Sequence, residues 1–214
     1  MNTTTNKRAL QKQQRRDDII QAAKALFLKR GIHHVQLQEV ASAAGIGIAT
    51  LYRYFPNKEQ LVFAVNNIIT AQMVAHIEAI DAEPINAYEK IERVFDYYVQ
   101  LTDETEQQFV QFIKAFERYK SFGEQTDEVK AYYDIRREMA DVLLRIVARG
   151  RQDGSVRTDI DLDVYIITTV QNISTFMTES TLTQHDPQLP VKLKPKHQLI
   201  LIRDMFLQYV RAIS

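Results

Sequence analysis

The chain contains no cysteine. It can therefore form neither disulfides nor thiolate metal sites, and it suits a reducing cytoplasm, where we expect it. No uninterrupted apolar run reaches the roughly 18 residues that span a bilayer, so no membrane partner is expected. The N-terminus is polar and basic without an apolar h-region, which argues against a secretory leader. Catalytic signatures are missing too. There is no Gly-x-Ser-x-Gly elbow, His-Glu-x-x-His pair, P-loop or cysteine nucleophile. Gly45-x-Gly47 lacks the third glycine and the preceding strand of a dinucleotide fingerprint. An enzyme is not expected, and no cofactor. His33 and His34 have no spaced acid or third ligand, so a metal site is not expected either.

Net charge is also absent: 27 Lys and Arg face 27 Asp and Glu in 214 residues. The balance hides an uneven distribution. Residues 1 to 60 carry ten basic and four acidic side chains, a net of +6, and the remainder is −6. A basic head on an acidic body fits a polyanion-binding module joined to a part that does not touch the polyanion. A hydrophobic fraction of 45% is ordinary for a globular protein of one medium or two small domains.

The most informative stretch runs from Leu37 to Glu59, LQEVASAAGIGIATLYRYFPNKE. Val40, Ala41 and Ala44 mark one buried face of a short helix. Gly45 ends it at a left-handed C′ position, and Ile46 plugs the turn. Gly47 is the N-cap of a second short helix whose inward face is Leu51 and Tyr54. Ile48, Ala49, Thr50, Tyr52 and Arg53 point outward, a mixture suited to thymine methyls, phosphates and a guanine edge. Pro56 stops this helix. Asn57, with Gln60 three residues on, then caps a long helix opening at Lys58. A cation in a first turn is disfavoured by the helix dipole, and a nearby phosphate would compensate. This is a helix-turn-helix layout, whose second helix enters the major groove.

Helix 1 ending in Lys29-Arg30-Gly31, followed by EVASAAGIGIATLYRYFPNKEQL, resembles the DNA-binding domain of TetR-family transcriptional regulators over roughly residues 14 to 65. The shared marks are the Val-Ala pair, Ala-Gly, an apolar residue, and Tyr-x-Tyr-Phe-x-x-Lys-Glu-x-Leu. Two positions depart from the pattern. Gln36 stands where the family usually has a threonine capping helix 2, and Gly47 where it usually has a serine capping the recognition helix. Each departure removes a hydroxyl that often touches phosphate. The DNA-binding set expected here is Gln36, Gly47, Ile48, Ala49, Thr50, Tyr52, Arg53, Tyr54 and Lys58. The resemblance implies an all-α fold. An N-terminal arm and helix-turn-helix domain, residues 1–56, would be joined by a linking helix to an effector-binding and dimerisation domain, residues 57–214.

Periodicity fills in the rest. Helix 1 is expected over about Gln14 to Arg30 on an Ile19, Ala23, Leu26, Phe27 stripe, after a polar, basic arm. The linking helix should reach about Ile80, ahead of Glu83-Pro84. Three more helices follow between Ile85 and Arg149. Eleven of the twenty Phe and Tyr residues lie between Tyr88 and Tyr133. Such density suits a cavity for a small hydrophobic or aromatic effector, and equally a plain aromatic core. The candidate lining is Phe95, Tyr98, Phe109, Phe112, Ile113, Phe116, Tyr132, Met139, Ile173 and Met177. Asp159, Asp161 and Asp163 alternate like an EF-hand opening, but Val164 and Val170 occupy the positions needing Gly and Glu. They read instead as charges at the start of the next helix, about Asp161 to Leu182. After a proline-marked loop, a last helix, about Lys196 to Ile213, is apolar around much of its circumference, with Leu201 and Met205 off the main stripe. Two apolar faces call for two partners, the second being another copy of the chain. The expected function is a homodimeric regulator, most simply a repressor, released from a pseudo-palindromic double-stranded operator by its effector. A DNA-binding protein without an effector is the alternative.

Overall fold

The computed structural model describes residues 3–103, 107–120, 125–183 and 194–212. Among these are nine α-helices, one 3-10 turn and no strand. The helices are α1 (Thr3–Arg30), α2 (Leu37–Ala43), α3 (Ile48–Tyr54), α4 (Lys58–Asp81), α5 (Ala87–Gln100), α6 (Gln107–Tyr119), α7 (Asp127–Asp153), α8 (Leu162–Thr183) and α9 (Pro195–Val210). They form two compact units. The first holds residues 1–69 and 111–133, the second 70–110 and 134–214. Along the first part of the chain the compact units part at 69/70, within α4. The start of α4 belongs to the first unit with the helix-turn-helix, and its Leu61, Val62, Phe63, Ala64 and Val65 are all buried.

In the first unit, α1 buries Ile19, Ile20, Ala23 and Phe27, while Leu26 is only half-buried. Gly31, at φ +83°, ends the helix, and its N–H donates to the Phe27 carbonyl at 2.8 Å. Aromatic rings from distant segments close this core. Phe63 meets Phe116 edge-on at 5.2 Å between centroids and Tyr132 at 5.8 Å. Phe27 stacks on Phe112 at 6.5 Å. One expectation is corrected here: α1 begins at Thr3, not near Gln14. The earlier turns have no apolar stripe to announce them. They are rich in Lys, Arg, Ala, Leu and Gln, however, all of which favour helix.

The second unit is built around α5, whose buried face is Ala87, Lys90, Ile91, Val94, Phe95, Tyr98 and Val99. Asn86 starts it with a complete capping box: its side chain accepts from Glu89 N–H at 2.9 Å, and Glu89 accepts from Asn86 N–H at 3.2 Å. Val142, Leu143, Ile146 and Val147 of α7, Ile166, Val170, Ile173 and Met177 of α8, and Leu199, Leu207 and Val210 of α9 complete the core. Gly150 permits a close approach, since a Cβ there would lie 2.7 Å from Val156 and 2.9 Å from Ala87. The alternating acids are structural. Asp159 takes both Arg157 nitrogens at 2.7 and 2.6 Å, Asp161 accepts from Val164 N–H at 3.2 Å, and Asp163 pairs with Arg151 at 3.0 Å. Pro195 is the first residue of α9, whereas Pro187 and Pro190 lie outside the described residues.

The second unit also holds a buried charge hub. Asp81, at the end of α4, is 5% exposed, and Lys90 beside it 6%. The Lys90 ammonium donates to the Asp81 carbonyl at 2.5 Å, Arg145 to one carboxylate oxygen at 2.8 Å and Arg149 to the other at 2.5 Å. These cations also satisfy the orphan carbonyl end of α4. By length and composition α4 could cross a membrane, but more than half of its apolar window is buried in the protein.

Candidate functional site

The turn between α2 and α3 is closed by two backbone hydrogen bonds. Ile46 N–H donates to Ala41 O at 2.9 Å and Gly45 N–H to Ser42 O at 3.1 Å. That pair is a Schellman motif, and Gly45 sits in its left-handed position at φ +65°. Val40, Ala41 and Leu51 are fully buried, which fixes how α3 leans on α2. Ala44, expected inside, is half-buried.

With Leu51 anchored, α3 turns three of the five residues expected outward fully to the surface, and Tyr54, expected inside with Leu51, is only partly covered. Ala49, Tyr52 and Arg53 are exposed, Tyr52 at 47%, while Ile48, Thr50 and Tyr54 are half-buried. Arg53 donates to the Thr50 hydroxyl at 3.2 Å, so the cation is held over the helix's exposed side. Gly47 caps α3 through its backbone alone, its carbonyl accepting from Thr50 and Leu51 N–H. Gln36 caps α2 and donates its own backbone N–H to Glu39 at 2.8 Å. Glu39 is held in turn by Arg30 at 2.5 Å. The Gln36 N–H and Arg30 together keep the Glu39 carboxyl below its ordinary range.

Lys58 opens α4 next to this surface. Asn57 accepts from Gln60 N–H at 2.9 Å, the N-cap that its sequence pattern requires. Partial burial holds the Lys58 ammonium below its usual range, and the Glu39 carboxylate pulls the other way. A half-desolvated cation in the first turn of a helix is suited to a phosphate oxygen. The nine expected DNA-binding residues therefore lie in or immediately around one helix-turn-helix.

The ten expected effector residues are distributed over both units. Phe112, Ile113, Phe116 and Tyr132 belong to the first, where Phe116 and Tyr132 lie 5.8 Å apart. Phe95, Tyr98, Ile173 and Met177 are buried in the core of the second, with Phe109 and Met139 packed against it. Tyr98 is the polar member of that group. Burial pushes its phenol well above the ordinary tyrosine range, with a hydrogen bond to the Ser174 side chain opposing. None of the ten lines the open depression of about 300 Å³ formed by Asp96, Val99, Gln100, Ile200 and Arg203. Of the charges near the aromatics in sequence, Glu92 and Asp96 are engaged by Arg203 at 3.1 and 2.7 Å, and Glu117 pairs with Lys120 at 2.6 Å. The Asp81 hub and the Tyr98–Ser174 pair were not legible in the chain. The one signal for the hub is Lys90 standing on an otherwise apolar stripe.

The geometry defines a helix-turn-helix DNA-binding protein. Residues 19–65 match the model of bacterial regulatory proteins of the tetR family. The chain is 27% identical over 150 residues to the HTH-type transcriptional repressor KstR2 of Mycolicibacterium smegmatis, covering 70% of this chain and 71% of that one. It is 24% identical over 152 residues to the fatty acid metabolism regulator protein of Bacillus subtilis, covering 71% and 76%. The crystal structure of the transcriptional regulator FadR from Bacillus subtilis in complex with stearoyl-CoA superposes with a TM-score of 0.67 at 18% identity, over 91% of this chain and 98% of that one. Residues 19–65 thus match a tetR-family DNA-binding domain, and the named relatives support a TetR-family transcriptional regulator.

Proposed function

We propose that this regulator is a homodimeric repressor released from its operator by a small hydrophobic or aromatic effector. The observation that carries the reading is the α3 surface: Thr50, Tyr52 and Arg53 presented on a helix whose other side is pinned by a fully buried Leu51. Gln36, Gly47, Ile48, Ala49 and Tyr54 complete the contact set, and Lys58 meets phosphate. A two-fold dimer places two such helices about 34 Å apart, or a multiple of that, on a pseudo-palindromic duplex.

The exposed sides of α8 and α9 supply the dimer contact. Along α8 as far as Met177 the exposed residues after its N-terminus are Val164, Thr168, Gln171, Asn172 and Thr175, with no charge among them. On α9, Leu201 and Met205 are 62% and 61% exposed. Large exposed apolar side chains beside a neutral stripe are what an isologous interface needs.

The effector would lodge among the candidates of the second unit, Phe95, Tyr98, Phe109, Met139, Ile173 and Met177, with Tyr98 and Ser174 able to orient a polar group. The relatives support that chemistry by name: one is a fatty acid metabolism regulator, and a solved neighbour holds stearoyl-CoA. Residues from 57 onward act as the responding domain, and α4 carries the change to α3. The coupling is reciprocal, so DNA weakens effector binding by the factor by which effector weakens DNA binding. Such a regulator works in the cytoplasm, where the DNA is. A DNA-binding protein without effector is the second reading, favoured by the edge-on packing of Phe63 with Phe116 and Tyr132.

The test has two stages. Selection from random duplexes should return a pseudo-palindrome. A thermal shift panel of acyl-CoA thioesters, steroids and aromatic acids should then return a ligand that stabilises the protein by about 2.7 kcal/mol at 100 times its Kd and releases that duplex. A panel without any shift selects the second reading, and failure to enrich any duplex ends both.

A further inference from the structure

α1 starts at Thr3, yet from Lys7 onward its first buried residue is Ile19. At about 1.5 Å per residue, the helix before Ile19 is roughly 24 Å long. Leu10, the one large apolar residue between Lys7 and Asp18, is 64% exposed and does not anchor it. Between Lys7 and Arg16 the segment carries Lys7, Arg8, Lys12, Arg15 and Arg16 and no acid. The two acids that follow, Asp17 and Asp18, accept from Gln13 and Gln14 of the same helix at 2.9 Å each.

Arg16 differs from the other four cations. It pairs with Glu128 and lies 5.4 Å from the ring centre of Phe55. Lys7, Arg8, Lys12 and Arg15 are exposed and have no hydrogen-bond or ion-pair partner among the described residues. Arg8, Lys12 and Arg15 follow i, i+4, i+7 spacing and so share one stripe. Like charges at that spacing repel and weaken a helix, and a polyanion laid along the stripe would remove the penalty.

The position of the stripe indicates which polyanion. Phe55 directly follows α3, three residues before Lys58, so Arg16 ties the base of the segment to the end of the recognition helix. Arg15, Lys12 and Arg8 continue from that point along the helix axis, spread over about 12 Å. We infer that the N-terminal half of α1 is a second DNA contact, binding as a helix to phosphates that flank the stretch read by α3. A helix about 10–12 Å across does not fit a minor groove roughly 6 Å wide, so this element adds affinity without reading bases, unlike an extended arm. The inference rests on α3 being the reading element.

The test uses the full chain carrying Lys7→Gln, Arg8→Gln, Lys12→Gln and Arg15→Gln, with an Arg8→Gln, Lys12→Gln double variant beside it. Circular dichroism confirms that each is folded. Fluorescence anisotropy follows binding to a random-sequence duplex of about 40 bp and to a duplex selected on the unsubstituted protein, from about 50 to 200 mM KCl. The quadruple variant should lower the salt slope by about three per bound protomer, and the double variant by about half of that. Both duplexes should lose affinity by the same factor, about tenfold or more at 100 mM salt. Trimming the selected duplex to the α3 sites should abolish the difference from the unsubstituted protein. An unchanged slope, or a loss confined to the selected duplex, overturns the inference. So does an unchanged slope coupled with lost binding to phosphatidylserine vesicles, which would make the stripe a lipid contact. Arg53→Ala and Tyr52→Ala separate the two levels. If they abolish selected binding while the quadruple variant leaves affinity and salt slope unchanged, only this inference fails; if they leave it intact, the reading of α3 itself fails.

Discussion

Two of the exposed helical surfaces among the described residues differ in one respect. The α3 surface presents a hydroxyl, a phenol and a guanidinium, with Lys58 beside it. The α8 and α9 surface presents Val164, Leu201 and Met205 at 61–62% exposure, and between Val164 and Met177 the other exposed residues of α8 are neutral. Exposure alone would not distinguish them. Charge does: a cation gains from phosphate and loses on entering a dry protein interface, whereas Leu and Met gain only from an apolar partner. The two faces thus suit different partners, a polyanion and an apolar surface, and they belong to different compact units.

The predictions probe that contrast, beginning with the support beneath the second unit. Asp81→Ala leaves Lys90 buried without its carboxylate and should cost about 3–5 kcal/mol in urea denaturation. A loss under 1 kcal/mol would mean that the carbonyl of residue 81 alone satisfies the ammonium. Next comes the apolar face. Leu201→Glu combined with Met205→Glu should convert a dimer to a monomer in sedimentation velocity. It should weaken binding to a two-site duplex by about 100-fold or more, the loss of avidity, while a single-site duplex is bound as before. A dimer that survives both charges places the interface elsewhere. Gly45→Ala tests the turn by itself. A Cβ there meets no atom within 4 Å, so the expected loss of about 1–2 kcal/mol comes from the left-handed backbone alone. Gly47→Ala, which has ordinary φ and equally open surroundings, is the control and should change stability far less. The smallest effect belongs to Lys58→Ala. It should weaken binding to every duplex and lower the salt slope by about one per protomer. An unchanged slope would show that Lys58 does not meet phosphate.

How much was legible depended on the range of the interaction. Gly45, Ile46 and Leu51 announced the helix-turn-helix because its turn is made by hydrogen bonds no more than five residues apart, and a left-handed glycine has a residue-level signature. Asn57 and Asn86 marked or made their helix starts through the residue three positions on. The early start of α1 was missed because helix propensity carries no periodic signal where there is no core to face. The effector candidates show the opposite limit. Spacing identified Phe112, Phe116 and Tyr132 as inward, and they are buried, but it could not show that they pack with Phe63 and Phe27.

The sequence by itself determined the helices, the turn that angles α3, the side chains that α3 exposes, and the segregation of positive charge toward the N-terminal end. Each of these is set within about one or two helical turns, the span over which backbone hydrogen bonds and side-chain periodicity act. Only the tertiary structure decided that Asp81 is shared by Lys90, Arg145 and Arg149, up to 68 residues away. It alone also paired Arg16 with Glu128 across 112 residues and divided the aromatic residues between two cores. Those outcomes depend on which chain segments come to lie side by side, and local periodicity and propensity carry no record of that.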